Sequence, residues 1–293
     1  MTQGNNKVVD VIIYIFLACV ALTCLIPIIH TVAISFSGKS AADAGQVFLT
    51  PIDFSISSYQ KILEDKVFFN SFGVSIKRVL IGGLLNFALT ILMAYPLSKS
   101  NKVFPGRNIY MWFVIFTMLF SGGLIPWYMT INKLGMLDTI WALVLPTAVP
   151  VFNVILLMNF FRGIPKELEE AAYMDGAGAW QILIKIFIPI STPAIATVTL
   201  FSVVSHWNSF FDGMILMNKM ENWPLQTYIQ QLVVSLDSLM NTNDPEELKR
   251  LMAVSNKTLN AAKVIISMIP ILIIYPFLQR YFVKGIVIGS IKG

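Results

Sequence analysis

The chain has 293 residues, 56% of them hydrophobic and only 13% charged, and its mean hydropathy is +0.71. That balance lies far from the soluble norm and excludes a water-soluble globular enzyme. The formal charge of +5 is dispersed in short segments between apolar stretches, so it offers no basic face of the kind that binds nucleic acid.

Six stretches are apolar enough to cross roughly 30 Å of hydrocarbon. In chain order they are 11–34, 76–98, 109–130, 139–161, 190–216 and 262–283. Lipid cannot satisfy exposed backbone groups and none of these runs alternates as a strand would, so each is expected to be helical. The predicted fold is all-α: a polytopic transmembrane helical bundle of six spans, read as one domain over 1–293 with its core at 70–285. The first stretch follows Lys7 as a signal peptide would, yet it has no small-residue cleavage site before its end and reads as a retained span. Cys19 and Cys24 lie in that span, too awkwardly placed on one helix to pair.

Six spans put both ends of the chain on one side. Ten of the 21 basic residues and five of the 16 acidic ones then share that side, which carries a net +5, while the other side sums to zero. The short loop 99–108 holds Lys99, Lys102 and Arg107, whereas 131–138 holds Lys133 alone. The positive-inside rule therefore gives an N-in, C-in orientation. Two outer segments are long. Residues 35–75 suit an ordered loop or a helix lying on the membrane surface, and 217–261 contains an amphipathic stretch after Pro224 and a helix start at Asp244 and Pro245.

Several motifs fail on inspection. Gly38, Lys39 and Ser40 end like a phosphate-binding loop, but Ala33 stands where its first glycine belongs. The two histidines, His30 and His206, have no cysteine or acid cluster beside them, so no metal site is expected. No catalytic constellation recommends itself within a span. An ion-coupled carrier would need buried ionisable residues, and Asp212 is the one acid at depth, with Lys77, Arg78 and Lys263 near outer ends.

The segment between spans four and five is out of keeping with its surroundings: EAAYMDGAGAWQILIKIFIPISTP, 170–193. The spacing of Glu170, Ala171, Ala172, Gly176, Ile186, Ile188 and Pro189 resembles the EAA loop of ABC importer permeases. The likeness extends to carbohydrate permeases of the MalG-like type and their LplC-like branch through FSGGLIPWYMTINKLGMLDTIWALVLP, HWNSFFDGMILM and YPFLQRYFVKGIVIGSIKG. The resemblance implies a multi-pass protein of the bacterial cytoplasmic membrane that is no enzyme and binds no cofactor itself. ATP and Mg are used by two cytoplasmic ATPase subunits, a second homologous permease completes a heterodimer, and an extracellular binding protein delivers a carbohydrate such as an oligosaccharide. Another polar solute, or an ion-coupled carrier, is the alternative.

The residues agree with that likeness. A short helix from about Pro165 with Glu167, Glu169 and Glu170 in its first turns places acids at the favourable end of the dipole. Gly176 permits a sharp turn, and a second helix runs from Gly178 to about Ile188. The resemblance assigns ATPase coupling to Glu170, Ala171, Ala172, Asp175, Gly176, Ala177 and Pro189, with the glutamate facing a basic group of the ATPase. Span five joins this segment and carries Ser205, His206, Trp207, Asn208, Ser209 and Asp212. On one continuous helix Ser205, Asn208, Ser209 and Asp212 share a face, flanked by Trp207 and Phe211; this set is the expected substrate pathway, with polar helix–helix packing against the partner permease as the alternative.

The orientation is checked with single cysteines in a variant lacking Cys19 and Cys24. An impermeant thiol reagent added to intact cells should label positions 132 and 241 but neither 101 nor 177. Labelling at 177 would reverse the topology.

Overall fold

The computed structural model describes residues 7–232 and 257–290, and every regular element among them is helical. The expected helix start at Asp244 and Pro245, position 241, and Gly293 of the tail lie outside the described residues. Three helices are long and apolar enough to cross a membrane unbroken: α1 (Lys7–Ser35), α4 (Lys66–Ser98) and the final helix (Lys257–Ser290). Three further stretches reach that length only as bent pairs. Contacts group the described residues into two compact units, 7–66 with 229–232 and 257–269, and 67–228 with 270–290.

In the first unit, α1 is followed by the short helices α2 (Lys39–Asp43) and α3 (Ser57–Glu64), so the segment after the first helix is ordered. Ala33, Ala41, Ala42 and Val47 form its small core. The Phe36 ring lies between Phe54, at 5.7 Å, and Tyr59, at 4.8 Å. The final helix is tied in by Ser58 Oγ donating to Thr258 at 2.8 Å and by an ion pair of Lys263 with Asp65 at 2.5 Å. Lys263 is therefore neutralised close to where the sequence places the outer end of its span.

In the second unit the helices after α4 are α5 (Arg107–Leu119), α6 (Leu124–Lys133), α7 (Ile140–Val144), α8 (Val151–Arg162), α9 (Lys166–Met174), α10 (Ala179–Ile190), α11 (Thr192–Asn208), α12 (Phe211–Leu216) and α13 (225–232); the final helix is α14. The stretch expected as one helix over 109–130 is broken: α5 and α6 meet at 111°. Gly123 sits at φ +89°, a conformation open to glycine, and Pro126 in the first turn of α6 has no N–H to continue the α5 ladder. Pro146 and Pro150 account in the same way for the 44° bend between α7 and α8, and Pro189 and Pro193 flank the 84° corner between α10 and α11. The final helix also departs from expectation, continuing past 283 to Ser290.

The core of this unit joins α4, α8, α10 and α11 through Ala94, Leu157, Ile182, Phe187 and Val198. At its polar end Asn153 Nδ2 donates to the Val198 carbonyl and to Ser202 Oγ, each at 3.1 Å, which locks α8 to α11. The Asn86 amide, set with its oxygen toward His206, accepts from Nε2 at 3.2 Å and donates to the carbonyls of Gly82, Thr147 and Ala148 at 3.1 Å. His206 thereby bridges α4 and α11 with its ring laid directly on Gly82. A Cβ at position 82 would stand 2.5 Å from that ring, whereas one at position 83 would meet Val203 at an ordinary 3.8 Å.

Gly82→Ala should therefore push α4 and α11 apart, since the buried, hydrogen-bonded imidazole has nowhere to go. A loss of about 1–3 kcal/mol is expected in thermal unfolding of the purified protein, with Gly83→Ala close to neutral. Equal melting of the two variants would show that the helices do not meet there.

Candidate functional site

The polar segment between α8 and α11 is a hook of two helices. Pro165, at φ −55°, starts α9 and needs no hydrogen-bond partner for its nitrogen, and Glu167 and Glu169 occupy the first turn. The helix ends in a two-bond turn: Gly176 N–H donates to the Tyr173 carbonyl at 3.0 Å and Ala177 N–H to that of Ala172 at 2.9 Å. This pairing needs a left-handed residue at position 176, and Gly176 has φ +77°. Gly178 caps α10, its N–H donating to Gln181 Oε1 at 3.1 Å.

The hook has one free face and one anchored face. No residue of α9 is buried, whereas α10 sends Ile182, Leu183 and Phe187 into the core. Phe187 meets the rings of Tyr95 and Phe161 edge-on at 5.1 and 5.4 Å. Lys99, just past the end of α4, lies 4.1 Å from the centres of the Tyr95 and Phe187 rings and pairs with Glu169 at 2.6 Å. Burial lowers the Lys99 pKa below the usual lysine range while the Glu169 carboxylate pulls it back up. Of the seven predicted coupling residues, Ala172 and Ala177 are half-buried and touch the core, while Glu170, Ala171, Asp175, Gly176 and Pro189 are exposed. Neighbouring Glu169 is consumed internally by Lys99, whereas Glu167, Glu170 and Asp175 are outward carboxylates. Met174, Trp180 and Ile184 also stand exposed on the hook. Sequence reasoning passed over them because apolar residues are unremarkable in so apolar a chain.

The predicted pathway set divides. The helix that was expected to carry it ends at Asn208, because Ser209 turns to extended backbone with ψ 126°. Its one continuous polar face is thus interrupted, and this corrects the helical spacing read from the sequence. The carbonyls freed by the break are satisfied from other elements: Arg78 Nη1 donates to Ser209 O at 3.3 Å and Thr227 Oγ1 to Phe210 O at 2.8 Å. Asp212, which opens α12, forms an ion pair with Arg78 and accepts from Ser209 Oγ at 2.8 Å and from Gly213 N–H at 2.9 Å. Arg78 is almost wholly buried, so the lone deep acid of the sequence is there to answer a buried cation from α4.

Two cavities flank the break. One, of about 840 Å³, is lined by Ser209, Phe211 and Asp212 together with Trp127, Thr130 and the Ser121–Gly123 linker. The second, of about 610 Å³, is lined by Ser205 and His206 with Asn86, Asn153 and Ser202. Both share Pro146 and Thr147, at the bend between α7 and α8. Ser205, Ser209, Phe211 and Asp212 therefore face open space. Trp207 and Asn208 line neither cavity: Trp207 is buried edge-on against Phe72 at 5.7 Å, and Asn208 is exposed. Asn86, Asn153 and Ser202 escaped the sequence reading because single amides in different spans acquire a common address only when the helices pack. Between α6 and α7, Asp138 accepts from Asn218 N–H at 2.7 Å and from Lys219 N–H at 3.0 Å. The Lys219 amide is the main cause holding its carboxyl below the usual aspartate range.

Comparison with known proteins places this geometry in context. Residues 86–288 match the description binding-protein-dependent transport system inner membrane component. The chain is 39% identical to the polygalacturonan/rhamnogalacturonan transport system permease protein YtcP of Bacillus subtilis, over 99% of this chain and 100% of that one. It is 38% identical to the protein LplC of the same organism, over 100% and 98% of the two chains. A chain in the crystal structure of a bacterial ABC transporter involved in the import of the acidic polysaccharide alginate superposes with a TM-score of 0.83 at 34% identity, covering 96% of this chain and 99% of that one.

Removing one member of the Arg78–Asp212 pair should strand the other charge. Asp212→Ala is expected to cost about 3–5 kcal/mol in thermal unfolding, and a double variant that also replaces Arg78 with Met should recover much of that loss. Strict additivity of the two losses would mean that the groups are not coupled.

Proposed function

This chain belongs to the family of binding-protein-dependent transport system inner membrane components, and from that membership we propose that it forms half of the passage by which an ATP-driven importer takes up a carbohydrate, as an oligosaccharide. It is a multi-pass permease of the cytoplasmic membrane, not an enzyme, and it works with an ATPase and a solute-binding protein. Membership sets aside the ion-coupled carrier. In the proposed assembly six spans, three of them bent, run with both ends in the cytoplasm. A second, homologous permease completes a heterodimer, and two ATPase subunits consume ATP and Mg. Sugar import is supported by the polysaccharides named for YtcP and for the alginate transporter.

The observation that carries the coupling role is the division of the hook into a free α9 face and an α10 packed into the core with α4, α8 and α11. A force applied at Glu170 reaches α11 through Ile182 and Phe187, across the corner that leads to the broken helix and its cavities. Closing ATPase subunits would supply that force, and a switch between inward-open and outward-open arrangements would follow. Ser205, Ser209, Phe211 and Asp212 contribute this chain's part of the passage, with hydroxyls and a carboxylate for sugar hydroxyls and a ring for a sugar's apolar face. A cavity of about 840 Å³ lies within the size range of pockets that enclose a small ligand.

The test is uptake by the reconstituted importer. Proteoliposomes holding both permeases and the ATPase, supplied with loaded binding protein, should accumulate saccharide on addition of ATP. Glu170→Lys should reduce that uptake at least tenfold while the permeases remain inserted and paired. Uptake at the normal rate would remove Glu170 from the coupling role, and failure of the unaltered complex to move any saccharide would overturn the carbohydrate assignment.

A further inference from the structure

Near the C-terminal end of α4 the carbonyl oxygen of Leu97 accepts two guanidinium bonds at once, from Arg107 Nε at 2.7 Å and Arg162 Nη2 at 3.3 Å. Two positive groups from different helices are thus held no farther apart than those two distances together. The last carbonyls of a helix attract cations. A fractional negative charge shared between two guanidinium groups does not neutralise them, however, and the ion pairs among the described residues include neither arginine. Lys99 is committed to Glu169, and Arg107 Nη1 donates to the uncharged Asn108 side chain at 3.2 Å.

These groups line a cavity of about 570 Å³ whose charged walls are Lys99, Arg107, Arg162 and Lys166 against Glu169 and Glu170. The balance is positive, and Glu169 is already paired. Beside the cavity, the first turns of α5 direct Ile109, Trp112 and Phe113 outward, each about two-thirds exposed or more. Such a surface lies against acyl chains, with the indole at the depth where aromatic rings gather. A ligand with a phosphate head and an apolar tail answers both features. Forked N–H donors grip phosphate oxygens in pairs, and basic pockets between spans on the cytoplasmic side take anionic headgroups.

We propose that Arg107 and Arg162 hold the phosphate of an anionic phospholipid, with its acyl chains along α5. Because Lys166 opens α9 and lines the same cavity, the bound lipid braces the root of the hook. This site is separate from the cavities around the α11 break, and binding is read without measuring transport.

The test places the whole importer in nanodiscs of phosphatidylcholine, with or without phosphatidylglycerol, and counts retained lipid by native mass spectrometry. Phosphatidylglycerol should stay with the complex after delipidation and raise its melting temperature. Arg162→Gln, at an exposed position and so of little risk to folding, should cut retention on the order of tenfold, the worth of a charge-assisted bond. Lys102→Gln, in the loop that leads to Arg107 but outside the cavity lining, should not. Retention unchanged in Arg162→Gln would overturn the site. Inorganic phosphate that stabilises phosphatidylcholine discs as well as phosphatidylglycerol does would overturn the lipid as its source. If Arg107→Gln/Arg162→Gln keeps the lipid but loses the ATPase subunits, the arginines serve a protein partner instead.

Discussion

Hydrocarbon offers a backbone no hydrogen bonds, and most of what distinguishes this chain follows from where it breaks helices in spite of that. Each break frees carbonyls that must find a donor within the protein. At Ser209 and Phe210 the donors are Arg78 and Thr227, brought from α4 and α13. At Leu97 they are Arg107 and Arg162. The need to satisfy a broken helix thus explains why a chain so poor in charge buries an arginine, and why an aspartate must accompany it.

The same economy separates rigid from responsive parts. Between α4 and α11 the contact is fixed by an imidazole on a glycine and by amides that reach several carbonyls, so the two helices are held at one spacing. The hook is held by aromatic edges and a lysine over two rings, contacts that resist separation but tolerate small rotations. A transport cycle needs both: a stiff body to carry displacement and joints at the 84° and 111° corners to absorb it.

Much of this was legible in the sequence, and for identifiable reasons. The hook was readable almost residue by residue, because Pro165, Gly176 and Gly178 are local instructions for starting, turning and restarting a helix. Apolar runs gave the positions of the long helices and of the bent pairs but not the bends. Hydropathy averages over a window in which one glycine or proline carries little weight, so α5 and α6 merged into one expected helix. The residues that line the cavities were half legible. Ser205, Ser209 and Asp212 were found as part of a polar cluster flanked by Phe211, but assuming a continuous helix put Trp207 and Asn208 beside them. The break at Ser209 has neither glycine nor proline. It rests on side-chain bonds to Arg78 and Asp212, and such long-range partners leave no local trace.

Leu183–Phe187 in α10 winds as a π-helix, with one residue more in its turn than an α-helix holds. Removing that residue would restore α winding and rotate everything on one side of it by about 100° relative to the other. Exposed hydrophilic connections ordinarily tolerate insertions and deletions. This segment is different: Leu183 and Phe187 are buried within it, and its length is a phase setting between the hook before it and the corner into α11 after it. A single lost codon there would leave both helices intact and turn the hook away from its partner, a defect invisible to any measure of helix content.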